Sequence, residues 1–243
     1  MAVWLPLESS PEVMSRYLKK LGVEGVEVCD IYSLEEDALF LIPEPVYGII
    51  LLFPMTEKYK KLGAGKEASL EKPDKLVFFV KQTILNACGS LALTHVILNN
   101  YDKIKFSECG VMEKFYHTTL HLDPNGRARE FEKSFAALHH IASLEGQTSL
   151  SSTAAVDGHF VAFVKVKNVI YELDGRKQFP VSYGITQESS FKSMIKAVKT
   201  FMDQDADFKN FSLLAIIQMS KATLDANLKA LAIKNNRTLL GIE

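Results

Sequence analysis

Short apolar stretches near both ends of the chain, with helical patterns between them, constrain the fold most strongly. Six stretches have the length and composition of β-strands, at residues 3–7, 26–31, 46–53, 159–166, 169–173 and 211–218. Helical patterns begin at Ser10-Pro11 and cover 123–143 and 188–202. Because the strands do not alternate regularly with helices, the order of elements predicts an α+β fold built around one sheet.

Size and composition indicate one ordinary globular domain. The 243 residues are enough for a substantial core, and the formal net charge of -1 gives no reason to expect a nucleic-acid partner. The widely spaced Cys29, Cys88 and Cys109 fit neither a disulfide framework nor a CxxC zinc site. The longest apolar run, VYGIILLFP from Val46, is far below the ~18 residues that span a bilayer. We therefore expect a monomer without cofactor, metal or membrane contact, in the cytoplasm and also in the nucleus.

Cys88 stands where a buried helix is predicted to begin. In the stretch KQTILNACGS it precedes Gly89, and the sequence CGSLALTHVILNN is apolar nearly all round, which is typical of a helix inside a domain. The free N–H groups and the positive dipole end of a helix N-terminus favour the thiolate, which is the nucleophilic form of cysteine. Cys88 is therefore a candidate nucleophile, and a buried structural cysteine is the alternative.

The stretch GHFVAFVKVKNVIYELDG offers a base for this thiol. Its two apolar runs flank Lys167-Asn168, a candidate two-residue hairpin turn. In that register Val161 faces Asp174, so His159 and Asp174 are diagonal neighbours on one face, roughly 7 to 8 Å apart at the backbone. A carboxylate at that distance can orient an imidazole. A turn one residue longer would put the two on opposite faces, and a surface hydrogen bond is the alternative role of the pair.

Gln82, six positions before Cys88, completes a candidate acyl-transfer site. Its amide and the Cys88 backbone N–H would supply donors to a developing oxyanion, each contributing ~2.7 to 4 kcal/mol. With these residues in view, the chain resembles the ubiquitin C-terminal hydrolases, papain-related cysteine peptidases, of the short single-domain type. The resemblance covers about the first 220 residues and rests on the blocks WLPLESSPEV, PEPVYGIILLFPMTEKYKK, KQTILNACGS, EGQT, YELDGRKQFP and FSLLAIIQMS.

The resemblance implies a role for each of the four residues. Cys88 matches the nucleophile, His159 the general base and acid, Asp174 the residue that orients the histidine, and Gln82 the oxyanion-hole donor. The implied fold is a central antiparallel six-stranded sheet flanked by helices, with a knotted backbone. The implied reaction removes small adducts, short peptides or unfolded extensions from the C-terminal glycine of ubiquitin through a thioester.

The resemblance also implies where ubiquitin, or a ubiquitin-like modifier, is held and filtered. The N-terminal residues Leu7, Glu8, Ser9, Ser10 and Glu12 are expected to contact it. A crossover loop over the active site is expected to limit the size of the leaving group; its residues are Gln147, Thr148, Ser149, Leu150, Ser151, Ser152, Thr153, Ala154, Ala155, Val156 and Asp157. The catalytic domain is expected at 1–220, followed by a tail at 221–243 with the leucine spacing of a short amphipathic helix.

The remaining histidines are expected to be structural. His117 and His121 are predicted on a helix surface, His95 in the core, and His139 and His140 near a helix end where they complement its dipole. Two alternative functions stay open: a non-enzymatic ubiquitin-binding module of the same fold, and a papain-like peptidase that acts on ordinary peptides.

Overall fold

The computed structural model describes residues 2–59, 76–146, 158–205 and 210–220. Within these ranges the strands are β1 Val23–Glu24, β2 Val26–Asp30, β3 Val46–Pro54, β4 Lys105–Phe106, β5 Gly158–Val166, β6 Val169–Leu173, β7 Val181–Ile185 and β8 Ser212–Gln218. Six of them form one sheet in the order β2-β8-β3-β5-β6-β7, and every neighbouring pair is antiparallel. The two-residue strands β1 and β4 pair separately. The predicted α+β fold with a six-stranded antiparallel sheet is confirmed.

Two of the helices begin at capping residues that the sequence shows. The helices are α1 Pro11–Lys20, α2 Glu36–Leu39, α3 Cys88–Leu98, α4 Val111–Thr119, α5 Pro124–Ser143 and α6 Ser190–Met202. Ser10 accepts a hydrogen bond from the Val13 N–H at the start of α1, and Asp123 accepts one from the Gly126 N–H at the start of α5. Each of these two helices has proline in its first turn, where a missing N–H costs nothing.

The sheet separates two hydrophobic cores, and the alternation of side chains along β5 shows how. Phe160, Ala162 and Val164 point into the core shared with α1, α3, α4 and α5. Val161 and Phe163 point into the second core, which α6 covers. Because successive strand residues face opposite sides, a strand between two cores must be apolar on both faces. This explains the uninterrupted apolar run of β3, which lies between β5 and β8.

Helix α3 packs unusually close to the centre of the sheet. All eleven of its residues are buried, as its apolar sequence predicts. A Cβ added at Gly48 in β3 would lie 2.6 Å from Val96 Cγ1, so only glycine permits this approach. The close packing fixes the height of α3 on the sheet, and with it the position of Cys88 at the helix start.

One predicted strand is wrong, and one strand of the six-stranded sheet was missed. Residues 3–7 form no strand: Val3 makes an isolated parallel bridge to Leu85, and Trp4 packs on Phe131 and His139. The segment is apolar because it packs on helices instead of joining the sheet. The sixth strand is β7, which was not predicted because it is short, contains Gly184 and lies half-exposed at the sheet edge.

Some expectations concern residues or properties that the described ranges do not test. The crossover loop at 147–157 and the tail at 221–243 lie outside the described residues. The knot and the domain boundary at 220 stay predictions. Within the described part of the chain, no helix is both long and apolar enough to cross a membrane.

Candidate active site

Cys88 occupies the first position of α3. The residue two places earlier, Asn86, has a φ of 65°, and its side-chain amide donates to the Trp4 carbonyl at 3.1 Å. Asparagine tolerates this left-handed conformation better than most residues. The turn brings the chain from the Gln82 segment directly into the helix. Since the first N–H groups of a helix have no intrahelical partner, the thiol lies beside free donors and the positive end of the dipole.

The predicted hairpin register is confirmed. Strands β5 and β6 pair Val166 with Val169 and Ala162 with Leu173. The same register puts His159 and Asp174 on one face of the sheet, and His159 Nε2 lies 2.7 Å from Asp174 Oδ1. Both side chains are buried, with exposed fractions of 0% and 1%. The carboxylate therefore holds one imidazole nitrogen and leaves the other, Nδ1, for chemistry.

The charge of Asp174 controls the ionisation of His159. Burial lowers the pKa of the imidazole, but the Asp174 charge and hydrogen bond, with a further contribution from Cys88, raise it to about 9. For Asp174 itself, burial opposes ionisation. The positive charge of His159 and the hydrogen bonds to the carboxylate nevertheless hold its pKa well below the usual range. The pair is therefore stable as carboxylate and imidazolium at neutral pH.

The thiol of Cys88 lies close enough to His159 to interact with it. Burial raises the pKa of this thiol, but the interaction with His159, helped by the Phe160 backbone and the charge of Arg176, lowers it below the ordinary value. His159 Nδ1 has no hydrogen-bond partner within the described ranges, and it is the nitrogen not held by Asp174. A thiolate and an imidazolium side by side form a nucleophile paired with a general acid.

Gln82 packs against Gly175, the residue after Asp174. Its backbone N–H donates to the Gly175 carbonyl at 2.8 Å, and a Cβ at Gly175 would lie 3.0 Å from Gln82 Cβ. The side-chain Nε2 donates to the Ile84 carbonyl at 3.0 Å. Because an amide nitrogen carries two hydrogens, one donor stays available, which is what an oxyanion contact requires.

Sequence reasoning missed Tyr59 as a member of this cluster. Its hydroxyl donates to Asp174 Oδ2 at 2.7 Å, and the side chain is buried. The resemblance block PMTEKYKK contained this tyrosine, but a hydroxyl 115 residues away in sequence gave no signal of its own.

The predicted ubiquitin-contact residues lie at and beside the start of α1. Leu7 is buried, with its Cβ 3.3 Å from the position that a Cβ at Gly89 would take. Ser9 Oγ lies 3.0 Å from Ser212 Oγ, and Ser10 caps α1. Glu8 and Glu12 keep exposed surface. Their contact with ubiquitin stays a prediction.

The predicted role of His139 is wrong. Instead of complementing the helix dipole, the ring is buried between Ser90 Oγ, at 2.7 Å from Nδ1, and the Leu5 carbonyl, at 2.6 Å from Nε2. Burial, partly offset by the Leu5 contact, lowers its pKa to about 4. His95 is a core histidine as predicted, with Nε2 accepting from the Val80 N–H. His117 lies exposed on α4, whereas His121 follows its end.

An antiparallel α+β domain with a helix-tip thiol beside a buried imidazole–carboxylate pair has the arrangement of a papain-like thiol hydrolase. Comparison with known proteins narrows this class. The family described as "Ubiquitin carboxyl-terminal hydrolase, family 1" matches residues 4–203. Because the match covers most of the chain, the protein belongs to that family.

Individual relatives agree over nearly their whole length. A ubiquitin carboxyl-terminal hydrolase of Drosophila melanogaster is 41% identical over 225 residues, which cover 89% of this chain and 98% of the relative. Isozyme L1 of Rattus norvegicus is 36% identical over 217 residues, covering 87% and 96%. The catalytic domain of Trichinella spiralis UCH37, solved bound to ubiquitin vinyl methyl ester, matches with a TM-score of 0.70 and 25% identity, covering 90% of this chain and 96% of that chain.

Proposed function

We propose that this protein is a cysteine-dependent deubiquitinating hydrolase in which Cys88 attacks the carbonyl of the C-terminal glycine of ubiquitin. The observation that carries the proposal is the buried His159–Asp174 pair, whose imidazole interacts with the thiol at the tip of α3 and lowers the pKa of that thiol. Family membership supplies the substrate, since the relatives are named ubiquitin hydrolases and a structural neighbour was solved with a ubiquitin-derived electrophile.

The first half of the reaction starts from a Cys88 thiolate beside a His159 imidazolium. The Cys88 sulfur forms a bond to the glycine carbonyl carbon, and the carbonyl electron pair moves to oxygen. The Gln82 amide and the Cys88 backbone N–H are the proposed donors to that oxyanion. The oxyanion then collapses, the bond to the leaving amine or thiol breaks, and His159 Nδ1 gives it a proton. The products are the free leaving group and a thioester on Cys88.

The second half returns the enzyme to its starting state. Neutral His159 takes a proton from water at Nδ1 while the water oxygen attacks the thioester carbonyl. Collapse of the second oxyanion expels the Cys88 thiolate and releases ubiquitin with a free carboxylate. Because Asp174 holds Nε2 throughout, Nδ1 donates the proton in the first half and accepts a proton in the second half.

The range of leaving groups is expected to depend on residues 147–157. We propose that this segment crosses the site and admits small adducts, short peptides and unfolded tails. Inserting about ten Gly/Ser residues near Ser152 should then extend activity to folded conjugates, because the loop-closure cost of such an insertion is small. Unchanged activity on folded conjugates would contradict the filter.

Ubiquitin is proposed to contact the N-terminal segment beside the thiol, where Glu8 and Glu12 offer carboxylates to a basic ubiquitin tail. The free cysteines Cys29, Cys88 and Cys109 support a reducing compartment, which we propose to be the cytoplasm and nucleus.

The decisive test is the substitution Cys88→Ala. Turnover of a fluorogenic ester or amide of ubiquitin should be lost while ubiquitin binding remains, because alanine removes the sulfur without changing the helix. Cys29→Ala and Cys109→Ala are matched controls and should keep full turnover. Retained turnover in Cys88→Ala would show that another residue is the nucleophile. Cleavage of a short unstructured peptide without the ubiquitin body would instead favour an ordinary peptidase.

A further inference from the structure

The Asp174 carboxylate is held from both of its oxygens. Oδ1 receives His159 Nε2 at 2.7 Å and the Arg176 backbone N–H at 2.9 Å. Oδ2 receives the Tyr59 hydroxyl at 2.7 Å. Tyr59 comes from the helical turn at 57–59 that follows β3. It bonds to the carboxylate oxygen that the imidazole does not contact. Oδ1 therefore binds the imidazole and Oδ2 binds the tyrosine hydroxyl, and a rotation of the carboxylate would break the hydrogen bonds of both oxygens.

Tyr59 is itself fixed in place, which a positioning group must be. Its backbone N–H donates to Thr56 Oγ1 at 3.0 Å, and the Thr56 hydroxyl donates to the buried Asp205 at 2.5 Å. Its ring packs edge-on against Phe53, with centroids 4.8 Å apart, and tilted against Phe201 at 5.7 Å. A hydroxyl held this firmly defines one orientation for the group that accepts its hydrogen bond.

We propose that Tyr59 is a positioning residue of the active site, whose hydroxyl locks Asp174 in the rotamer that holds the His159 imidazolium. The inference rests on the proposed function. Without the hydroxyl, Oδ2 is a buried acceptor with one partner removed, and only the bonds to Oδ1 resist rotation of the carboxylate about its terminal bond. The contact between Oδ1 and Nε2 then loosens, and the imidazolium loses part of its stabilisation. The neighbouring thiolate, which depends on that imidazolium, becomes less favoured.

Other ionisable groups surround this pair. On the β6 and β7 side lie Glu172, Lys177 and Tyr183: Lys177 donates to Glu172 Oε1 at 2.5 Å, and Tyr183 donates to Oε2 at 3.1 Å. From α3 come Cys88 and His95, and from the loop after β6 comes Arg176; each interacts electrostatically with a member of the site. None of these groups donates the bond that Tyr59 makes to Asp174 Oδ2.

The environment of Glu172 provides a matched control. Tyr183→Phe removes a tyrosine hydroxyl from a buried carboxylate two residues before Asp174, outside the reacting groups. Tyr59→Phe removes the same atom from Asp174. If both hydroxyls served stability alone, the two variants would behave alike: each would unfold at a lower temperature, and each would keep the wild-type pH profile.

The experiment measures kcat, KM and the rate of Cys88 alkylation by iodoacetamide from pH 5 to pH 10, with the alkylated site quantified by peptide mass spectrometry. For Tyr59→Phe we expect kcat to fall ~10-fold with KM unchanged. The apparent pKa on the acid side of the alkylation profile should rise, and the apparent pKa on the alkaline side of kcat/KM should fall. The pH range of activity therefore narrows from both sides. Tyr183→Phe should leave both apparent pKa values unchanged.

The proposal would be overturned if the two apparent pKa values in Tyr59→Phe equal those of the wild type or move further apart. Because Tyr59→Phe could fail to fold, a second measurement uses the otherwise unchanged chain with 3-fluorotyrosine incorporated at position 59. Its ¹⁹F signal should shift with the same midpoint as Cys88 alkylation, and an unshifted signal would equally overturn the proposal. These failures are distinct from failure of the proposed function, which retained turnover in Cys88→Ala would reveal.

Discussion

Replacing Asp174 with asparagine tests how the buried charge creates the reactive thiol. The side chain keeps its size, and its carbonyl oxygen still accepts from the Arg176 N–H, but the negative charge beside His159 is lost. That charge is the main factor opposing burial of the imidazole, so its pKa should fall from about 9 to below the ordinary 6.5. The difference corresponds to about 3 kcal/mol of imidazolium stabilisation, or a ~300-fold change in the equilibrium constant between the ion pair and the neutral pair.

The assay is the alkylation rate of Cys88 by iodoacetamide as a function of pH. Wild-type protein should react rapidly at neutral pH, because the interaction with His159 lowers the pKa of the Cys88 thiol. Asp174→Asn should react at least ~100-fold more slowly at pH 7, with its acid limb moved upward. Glu172→Gln is the matched control, since it removes a buried carboxylate that contacts Lys177 and Tyr183 instead of the histidine. A wild-type alkylation profile in Asp174→Asn would refute the coupling.

Three further predictions follow from the same geometry. First, kcat/KM should fall on the alkaline side with an apparent pKa of about 9, because His159 loses its proton as pH rises through that value and can no longer protonate the leaving group. A flat alkaline side up to pH 10 would exclude His159 as the acid. Second, Gln82→Ala should lower kcat ~100-fold with little change in KM, because its amide acts on the oxyanion; a change confined to KM would assign it to substrate binding. Third, the free energy of unfolding should fall as pH drops from about 6.5 to about 4, because His139 and His95, each with a pKa of about 4 in the fold, take up protons first when unfolded. In His139→Gln that slope, measured by urea unfolding, should be shallower by about half, and an unchanged slope would contradict the assignment.

The hairpin that carries His159 and Asp174 was predictable because its information is local. Two apolar runs around Lys167-Asn168 define the turn, the turn defines the register, and the register defines which side chains share a face. Lys167 adopts a φ of 53°, as a tight hairpin of this type requires. The His159–Asp174 bond could therefore be inferred without any knowledge of the rest of the fold.

The contacts that sequence reasoning missed are those between distant segments. The wrong strand at 3–7 and the wrong role of His139 have one cause: the N-terminal segment packs against α5 and the start of α3, and Leu5 takes the imidazole hydrogen bond. Apolar composition could not distinguish packing on helices from pairing in a sheet. Tyr59 was missed for a similar reason, because its partner Asp174 follows β6 whereas Tyr59 follows β3, and only the assembled fold brings the two together.

The approach of Cys88 to His159 was predictable from the sequence only in part. Its helix was predictable from the apolar run, and the family resemblance implied its role. The distance between helix tip and strand end, however, depends on the close contact of Gly48 with Val96, which no local pattern records.

The most direct test of the account is covalent capture of the nucleophile by ubiquitin itself. Ubiquitin vinyl methyl ester should form one adduct with the wild-type protein, and tryptic mass spectrometry should place it on Cys88. Cys88→Ala should form none, whereas Cys29→Ala and Cys109→Ala should react at the wild-type rate. An adduct on Cys29 or Cys109, or labelling that survives in Cys88→Ala, would contradict the assignment of the thiol at the tip of α3 as the reacting group.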